Sequence, residues 1–254
     1  MRLLEWDARC YDALPLPHNR WGAGAIHRLP LAGDETVVEL GCGTGRDAER
    51  LLERLPHGRV IAVDGSAQML AGLRRRLADR LDRVTVVQAD LRHPWALDEP
   101  ADAALSVATL HWLPDHDVVF QAVAAALWPG GRFVAEAGGA GSVEGFRAAV
   151  RAAGGDDGGR LWNFAGVEET THRLQRAGFT GIEVELVTDT AVLKPGEQLE
   201  AYLATVMLGA QLRELPPERH HQFVREVARR LPEPVIDYVR LRINAIRTQP
   251  GAEH

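Results

Sequence analysis

The stretch that most limits what this chain can fold into is VVELGCGTGRDAERLL, Val37 to Leu52. An apolar run suited to a buried strand breaks into glycines at Gly41, Gly43 and Gly45, and a helical pattern starts at once. A strand that passes to a helix through a glycine turn opens a β-α-β unit. It leaves bare backbone at the carboxyl end of the strand, where open α/β sheets bind ligands. The alternation continues beyond it. RVIAVD ends at Asp64, a helix follows from Ser66 to about Arg80, and RVTVVQAD ends at Asp90. ADAALSVATL reads as a buried strand, a helix from about Asp117 to Leu127 stops at WPGG, and RFVAEAG is a fifth strand. Strands separated by helices pair in parallel through right-handed crossovers, which predicts an α/β fold with a doubly wound, Rossmann-like sheet.

The last third departs from simple alternation. TTHRLQRAGF reads as a helix and TGIEVELVTDTAVL as a strand. Residues 195–231 turn helical, with a break at LPPERHH, and a last strand begins near Asp237. Two late strands separated by a helical pair predict a hairpin carrying an insertion, which must pack on something, with the open end of the sheet as the expected place. With 254 residues and 46% hydrophobic content, one full core can be buried.

Net charge is −6 and the arginines are scattered; the short cluster LRRRL, Leu73 to Leu77, reads as a solvated helix face. No basic stripe marks a nucleic-acid track, so none is expected as a partner. The two cysteines, Cys10 and Cys42, make no disulfide framework. No run approaches the ~20 apolar residues of a membrane span. These features predict a cytoplasmic protein without a membrane partner.

Two ligand classes compete for the turn. A dinucleotide fingerprint, G-x-G-x-x-G, needs a third glycine where this chain has Arg46. The chain has E-x-G-x-G-x-G instead, with Glu39 on the strand and Gly45 crowding the turn, so that a bulky group can lie against bare backbone. A helix N-terminus favours a pyrophosphate, yet Glu39 and Asp47 put two carboxylates near it. A cationic or zwitterionic ligand is the expectation.

With these residues the chain resembles the class I S-adenosylmethionine-dependent methyltransferases, whose first motif is matched by ELGCGTG. The companions follow: Asp64 ends the second strand about twenty residues on, DGSAQML forms the next junction, QAD ends strand three, and LWPGGRFV precedes strand five. The resemblance covers about Trp6 to Phe179. Within the family, WDARCYD, LHWLPDH, AGF and LPPERHHQFVREVARRL are similar to the trans-aconitate methyltransferases and the small-molecule methyltransferases around them. The resemblance implies seven strands in the order 3-2-1-4-5-7-6, strand seven antiparallel, with the helical insertion between strands 6 and 7. It divides the chain into an N-terminal helical segment, 1–30, over the cofactor site, and a methyltransferase domain, 31–254, with a helical lid at about 195–231. S-adenosylmethionine is the implied cofactor and no metal is required. Asp64 would take both ribose hydroxyls, Met69 would lie against the adenine and Asp90 would accept from its amino group. Tyr11 would reach the methionine carboxylate, although Trp6 and Tyr11 also read as an aromatic helix face. Glu39, Gly41, Gly43, Gly45, Gly65, Ala89, Leu91 and Ser106 complete the implied cofactor set.

The acceptor is less defined. GGAGSVEGF and GGDDGGRLW are richer in glycine than that family's pattern. His111 follows strand four at the ligand end of the sheet, where it can be a general base, a pocket wall or a hydrogen-bond partner. Trp112 and Trp162 are expected to wall the pocket, and Arg20 and Arg160 are the candidate cations for an anionic acceptor. These features favour O-methylation of a small organic acid or natural-product intermediate. C- or N-methylation is the runner-up, and a non-catalytic S-adenosylmethionine-binding sensor or subunit the reading from another class.

Overall fold

The computed structural model describes residues 18–159 and 161–249. Helix α1 (His18–Arg28) precedes β1 (Thr36–Leu40), α2 (Arg46–Arg54), β2 (Arg59–Asp64), α3 (Ala67–Arg76) and β3 (Val84–Gln88). Strand β4 (Ala101–Val107) then leads through a 3-10 turn at Leu110–Trp112 to α4 (His116–Ala125), β5 (Leu127–Gly138) and α5 (Glu144–Ala152). The chain continues with α6 (Val167–Arg176) and β6 (Phe179–Val192). Next come α7 (Glu197–Tyr202), a π-helical turn at Leu203–Met207, α8 (Gly209–Glu214) and α9 (Pro217–Arg230), before β7 (Val235–Arg247).

The seven strands form one sheet in the order β3-β2-β1-β4-β5-β7-β6. The first five pair in parallel, and β7 runs antiparallel to both β5 and β6, with Gly138 opposite Arg240 and Val192 opposite Val235. Alternation in the sequence explains the two kinds of strand. Val37, Val38 and Leu40 of β1 are fully buried because helices cover both faces. The edge strand β6 buries little, and charged side chains such as Glu183, Glu185 and Asp189 blunt that edge.

Helices α2 and α3 pack Leu51, Leu52, Leu70 and Leu73 on one face of the sheet, with Ala25 and Ile26 of α1. The other face carries Phe120, Phe133, Leu174 and Phe179. A third cluster joins the insertion to the open end of the sheet: Tyr202, Leu203, Val206 and Met207 pack with Phe146 of α5, Ile236 and Tyr238 of β7, and Trp21 of α1. Two details differ from the sequence reading. Strand β5 begins at Leu127 and carries WPGG within it beside a register shift at Ala101–Ala103, and α5 occupies a stretch to which the sequence reading assigned no element.

Candidate functional site

The glycine turn folds as it does because three residues in a row of five take left-handed backbone: φ is +72° at Gly41, +52° at Gly43 and +80° at Gly45. Their roles differ. A methyl group at Gly41 would strike the Thr109 side chain, and one at Gly45 would strike Leu73 of α3. At Gly43 it would meet nothing within 4 Å. The outer glycines thus let neighbouring elements close in, and the middle one faces open space. Gly45 makes room for Leu73 rather than baring backbone to a ligand, as the sequence reading had it.

Asp64, at the end of β2, fastens the turn. Its Oδ2 accepts from the Gly43 N–H at 2.9 Å and its Oδ1 from the Ser66 N–H at 2.8 Å. Ser66 in turn caps α3 by accepting from the Met69 N–H at 3.2 Å, which sets Met69 against the cavity. Asp90 receives the Arg92 guanidinium, Nε at 2.9 Å and Nη2 at 2.6 Å, and that pairing holds its carboxyl below the usual carboxylate range. Glu39 is buried, its Oε2 lacks a hydrogen-bond partner, and burial together with the nearby Asp47 and Asp64 carboxylates raises its pKa well above the ordinary value. Burial also raises Asp47, against the pull of Arg50. A polyanion would meet these carboxylates at the turn; a sulfonium or ammonium would not be repelled by them.

Gly41, Gly43, Asp64, Gly65, Met69, Asp90 and Leu91 line one end of a single cavity of about 520 Å³, within the roughly 300–1,000 Å³ of small-molecule sites. Glu39, Gly45, Ala89 and Ser106 do not line it. The Ala89 N–H donates to the Asp64 carbonyl and the Ser106 hydroxyl to the Leu40 carbonyl, so both serve the sheet's ligand end from behind. Bare backbone, a carboxylate suited to paired hydroxyls, an apolar Met69 face and a second acid at Asp90 fit the ribose and adenine of S-adenosylmethionine. At Asp90 an adenine amino group would share the carboxylate with Arg92.

The far end is aromatic. His111 and Trp112, on the 3-10 turn after β4, meet Trp162 and Phe164: Trp162 stacks on Phe164 with centroids 5.7 Å apart, and Trp112 lies 6.0 Å from Trp162. The Asn163 N–H donates to the His111 carbonyl, and its side-chain amide donates to the Leu113 and Pro114 carbonyls, which ties the two aromatic segments together. His111 Nδ1 accepts the Gly138 N–H at 3.2 Å, so the ring proton resides on Nε2. Ala108 and Val143, both on the cavity wall, hold φ of 54° and 56°. For the β-branched Val143 this is a strained backbone of the kind that collects at functional sites.

Arg20 lies on the surface, paired with Asp189, and does not reach the cavity. Tyr11 and Arg160 fall outside the described residues. Among the described residues two cations line the cavity, Arg92, paired with Asp90, and Arg240 of β7, which sequence reasoning passed over. Its side chain is 1% exposed and stacks on the Trp21 ring at 3.6 Å, and burial brings its pKa down to about 10. The signal was present: alternation along β7 puts Arg240 on the same face as Ile236 and Tyr238, an odd place for a charge.

Residues 37–131 of the chain match a family model described as methyltransferase domain, and the chain folds them within the seven-stranded order expected above. More particularly, it is 39% identical over 126 residues to a trans-aconitate 2-methyltransferase of Azoarcus sp. (strain BH72), a match covering 50% of this chain and 48% of that protein. The match spans about half the length of such relatives. Among solved structures, a Haemonchus contortus phosphoethanolamine N-methyltransferase 2 with S-adenosylhomocysteine superposes with a TM-score of 0.64 at 20% identity, covering 91% of this chain and 53% of that one. The [4+2]-cyclase SpnF shares the fold as well, with a TM-score of 0.60 at 17% identity over 91% of this chain and 81% of its own.

Proposed function

We propose that the protein transfers a methyl group from S-adenosylmethionine to a carboxylate oxygen of a small organic acid. The observation that carries this reading is the single cavity that runs from the glycine turn to an aromatic pocket. When bound, the cofactor supplies a methyl group already activated on a sulfonium, and transfer to an ionised carboxylate forms the C–O bond as the C–S bond breaks, with no proton to remove. Asp64 and Asp90 orient the nucleoside end, and His111, Trp112, Trp162 and Phe164 keep water from the acceptor end.

His111 supports the choice of a carboxylate acceptor. Its Nδ1 lone pair is occupied by the Gly138 N–H, so the ring offers the pocket a donor, not a base. An acceptor that must lose a proton is poorly served; an ionised acid is well served. Labelled cofactor incubated with small acids, phenols and amines is expected to label the acids as methyl esters, and His111→Ala to lower their turnover by no more than about tenfold. General-base catalysis is worth about a hundredfold or more, so a loss of that size with a phenol or amine as the labelled acceptor would refute the ester reading.

The insertion serves as the lid of this pocket, since Val206 and Met207 contribute to the cavity wall. Amide exchange across residues 195–231 should slow when S-adenosylhomocysteine is added; equal exchange with and without it would count against a moving lid.

A further inference from the structure

The two glycine-rich stretches that depart from the family pattern, 138–146 and 154–162, seat the rings at the aromatic end of the cavity. A methyl group at Gly138 would stand 2.6 Å from the Phe164 ring and 3.5 Å from His111 Cγ, and one at Gly158 would stand 2.8 Å from the Trp162 ring. Gly138 lies in β5 outside the left-handed region, so its backbone gives no reason for a glycine there. The reason is the ring packed on it. The rings seated in this way are near-parallel. Trp162 and Phe164 differ by 19° with centroids 5.7 Å apart, and Phe164 and His111 by 30° with centroids 6.0 Å apart. Trp112 stands at 59° to Trp162 as a side wall. All four rings line the cavity.

Polar groups on the same wall are turned to partners inside the fold. The Tyr238 hydroxyl meets the Tyr202 hydroxyl at 2.6 Å and donates to Met207 Sδ at 3.3 Å, and the Asn163 amide donates to the Leu113 and Pro114 carbonyls. Arg92 is closed on Asp90 at the cofactor end. Arg240 is 1% exposed, its Nε lies 3.6 Å from Glu136 Oε1 and its guanidinium sits on the Trp21 ring. Among the described residues the acceptor end thus presents rings and the apolar Leu161, Val206 and Met207, with no guanidinium open to a second carboxylate. A second charge buried unpaired against such walls is costly.

We infer that the acceptor is a monocarboxylic acid carried on a flat conjugated body, an aryl or arylalkenyl acid, and that the tier of Trp162, Phe164 and His111 selects it. The inference rests on the proposed transfer to a carboxylate oxygen and names the body that bears that group. Aromatic faces and edges attract flat π-systems beyond the gain from buried area, so the tier separates a planar acid from a puckered one of equal size. The reacting carboxylate is then the acceptor's one charge. Transfer removes it as the C–O bond forms and the C–S bond breaks, leaving a neutral ester and a neutral thioether.

Calorimetry tests the pocket without turnover. Cinnamate, 3-cyclohexylpropanoate and 4-carboxycinnamate are titrated into the protein saturated with S-adenosylhomocysteine, for the wild type, Trp162→Leu and Gly138→Ala. Cinnamate should bind the wild type about tenfold more tightly than its puckered counterpart, the order of one or two aromatic contacts, and more tightly than the diacid. Trp162→Leu removes a ring, and Gly138→Ala displaces Phe164 while keeping the backbone N–H that holds His111. Each should erase most of cinnamate's advantage over 3-cyclohexylpropanoate and leave S-adenosylhomocysteine within about threefold. Equal binding of the planar and puckered acids, tighter binding of the diacid, or no binding of cinnamate by the wild type would overturn the inference. Should Trp162→Leu melt too low to titrate, Gly138→Ala carries the test: a loss confined to cinnamate supports the tier, and no loss, or an equal loss of both acids, overturns it. The methyl-transfer reading fails separately, if cinnamate binds with this selectivity but the labelled cofactor marks no acid.

Discussion

Asp64→Ala is expected to weaken S-adenosylhomocysteine by a hundredfold or more. Two charge-assisted hydrogen bonds from vicinal hydroxyls contribute about 1.5–3 kcal/mol each, so their loss exceeds that factor even at the lower bound. The structure adds a second consequence. Because the carboxylate also accepts the Gly43 and Ser66 N–H groups, its removal strands two backbone donors and loosens the turn. An orphaned donor costs about 1–3 kcal/mol when buried, so the melting temperature of the free protein should fall by several degrees as well. Calorimetry and a melting curve read the two effects independently. Unchanged affinity would remove Asp64 from the site, whatever happened to stability.

Gly43→Val is the second large effect. Valine at φ +52° is strained, and its side chain would project into the open space that Gly43 now faces. The variant should lose the rise in melting temperature that S-adenosylhomocysteine gives the wild type. Gly43→Ala shares the backbone strain while filling less of the space, so it should lower the ligand-free melting temperature comparably and retain part of the ligand-induced rise. An undiminished rise in Gly43→Val would show that no ligand lies over the turn.

These two residues were legible in the sequence because their roles are local. A strand, a glycine turn and an acid about twenty residues on lie within one β-α-β unit, whose geometry is set by short-range backbone rules. The same locality made the run of parallel strands up to β5 accessible, and the family resemblance supplied the strand order and the antiparallel β7. What the sequence hid depends on residues far apart. His111 is deprived of its lone pair by Gly138, Arg20 is drawn away by Asp189, and Arg240 sits in a cluster with Arg28, Glu136 and Arg242 drawn from three separate elements. Helix α5 was hidden for another reason: its flanking glycines resemble loop punctuation, but its Phe146, Ala149 and Val150 are buried in the cluster that seats the insertion. Gly45 was misjudged because a left-handed glycine can free space for a ligand or for a neighbouring leucine, and only the packing distinguishes them.

Titration of the wild-type protein with S-adenosylhomocysteine and then with NADH tests whether the glycine turn, Asp64 and Asp90 form an S-adenosylmethionine site. Micromolar or tighter binding of S-adenosylhomocysteine, with no heat from NADH, is the predicted result. Binding of NADH in its place, or of neither, would contradict the account.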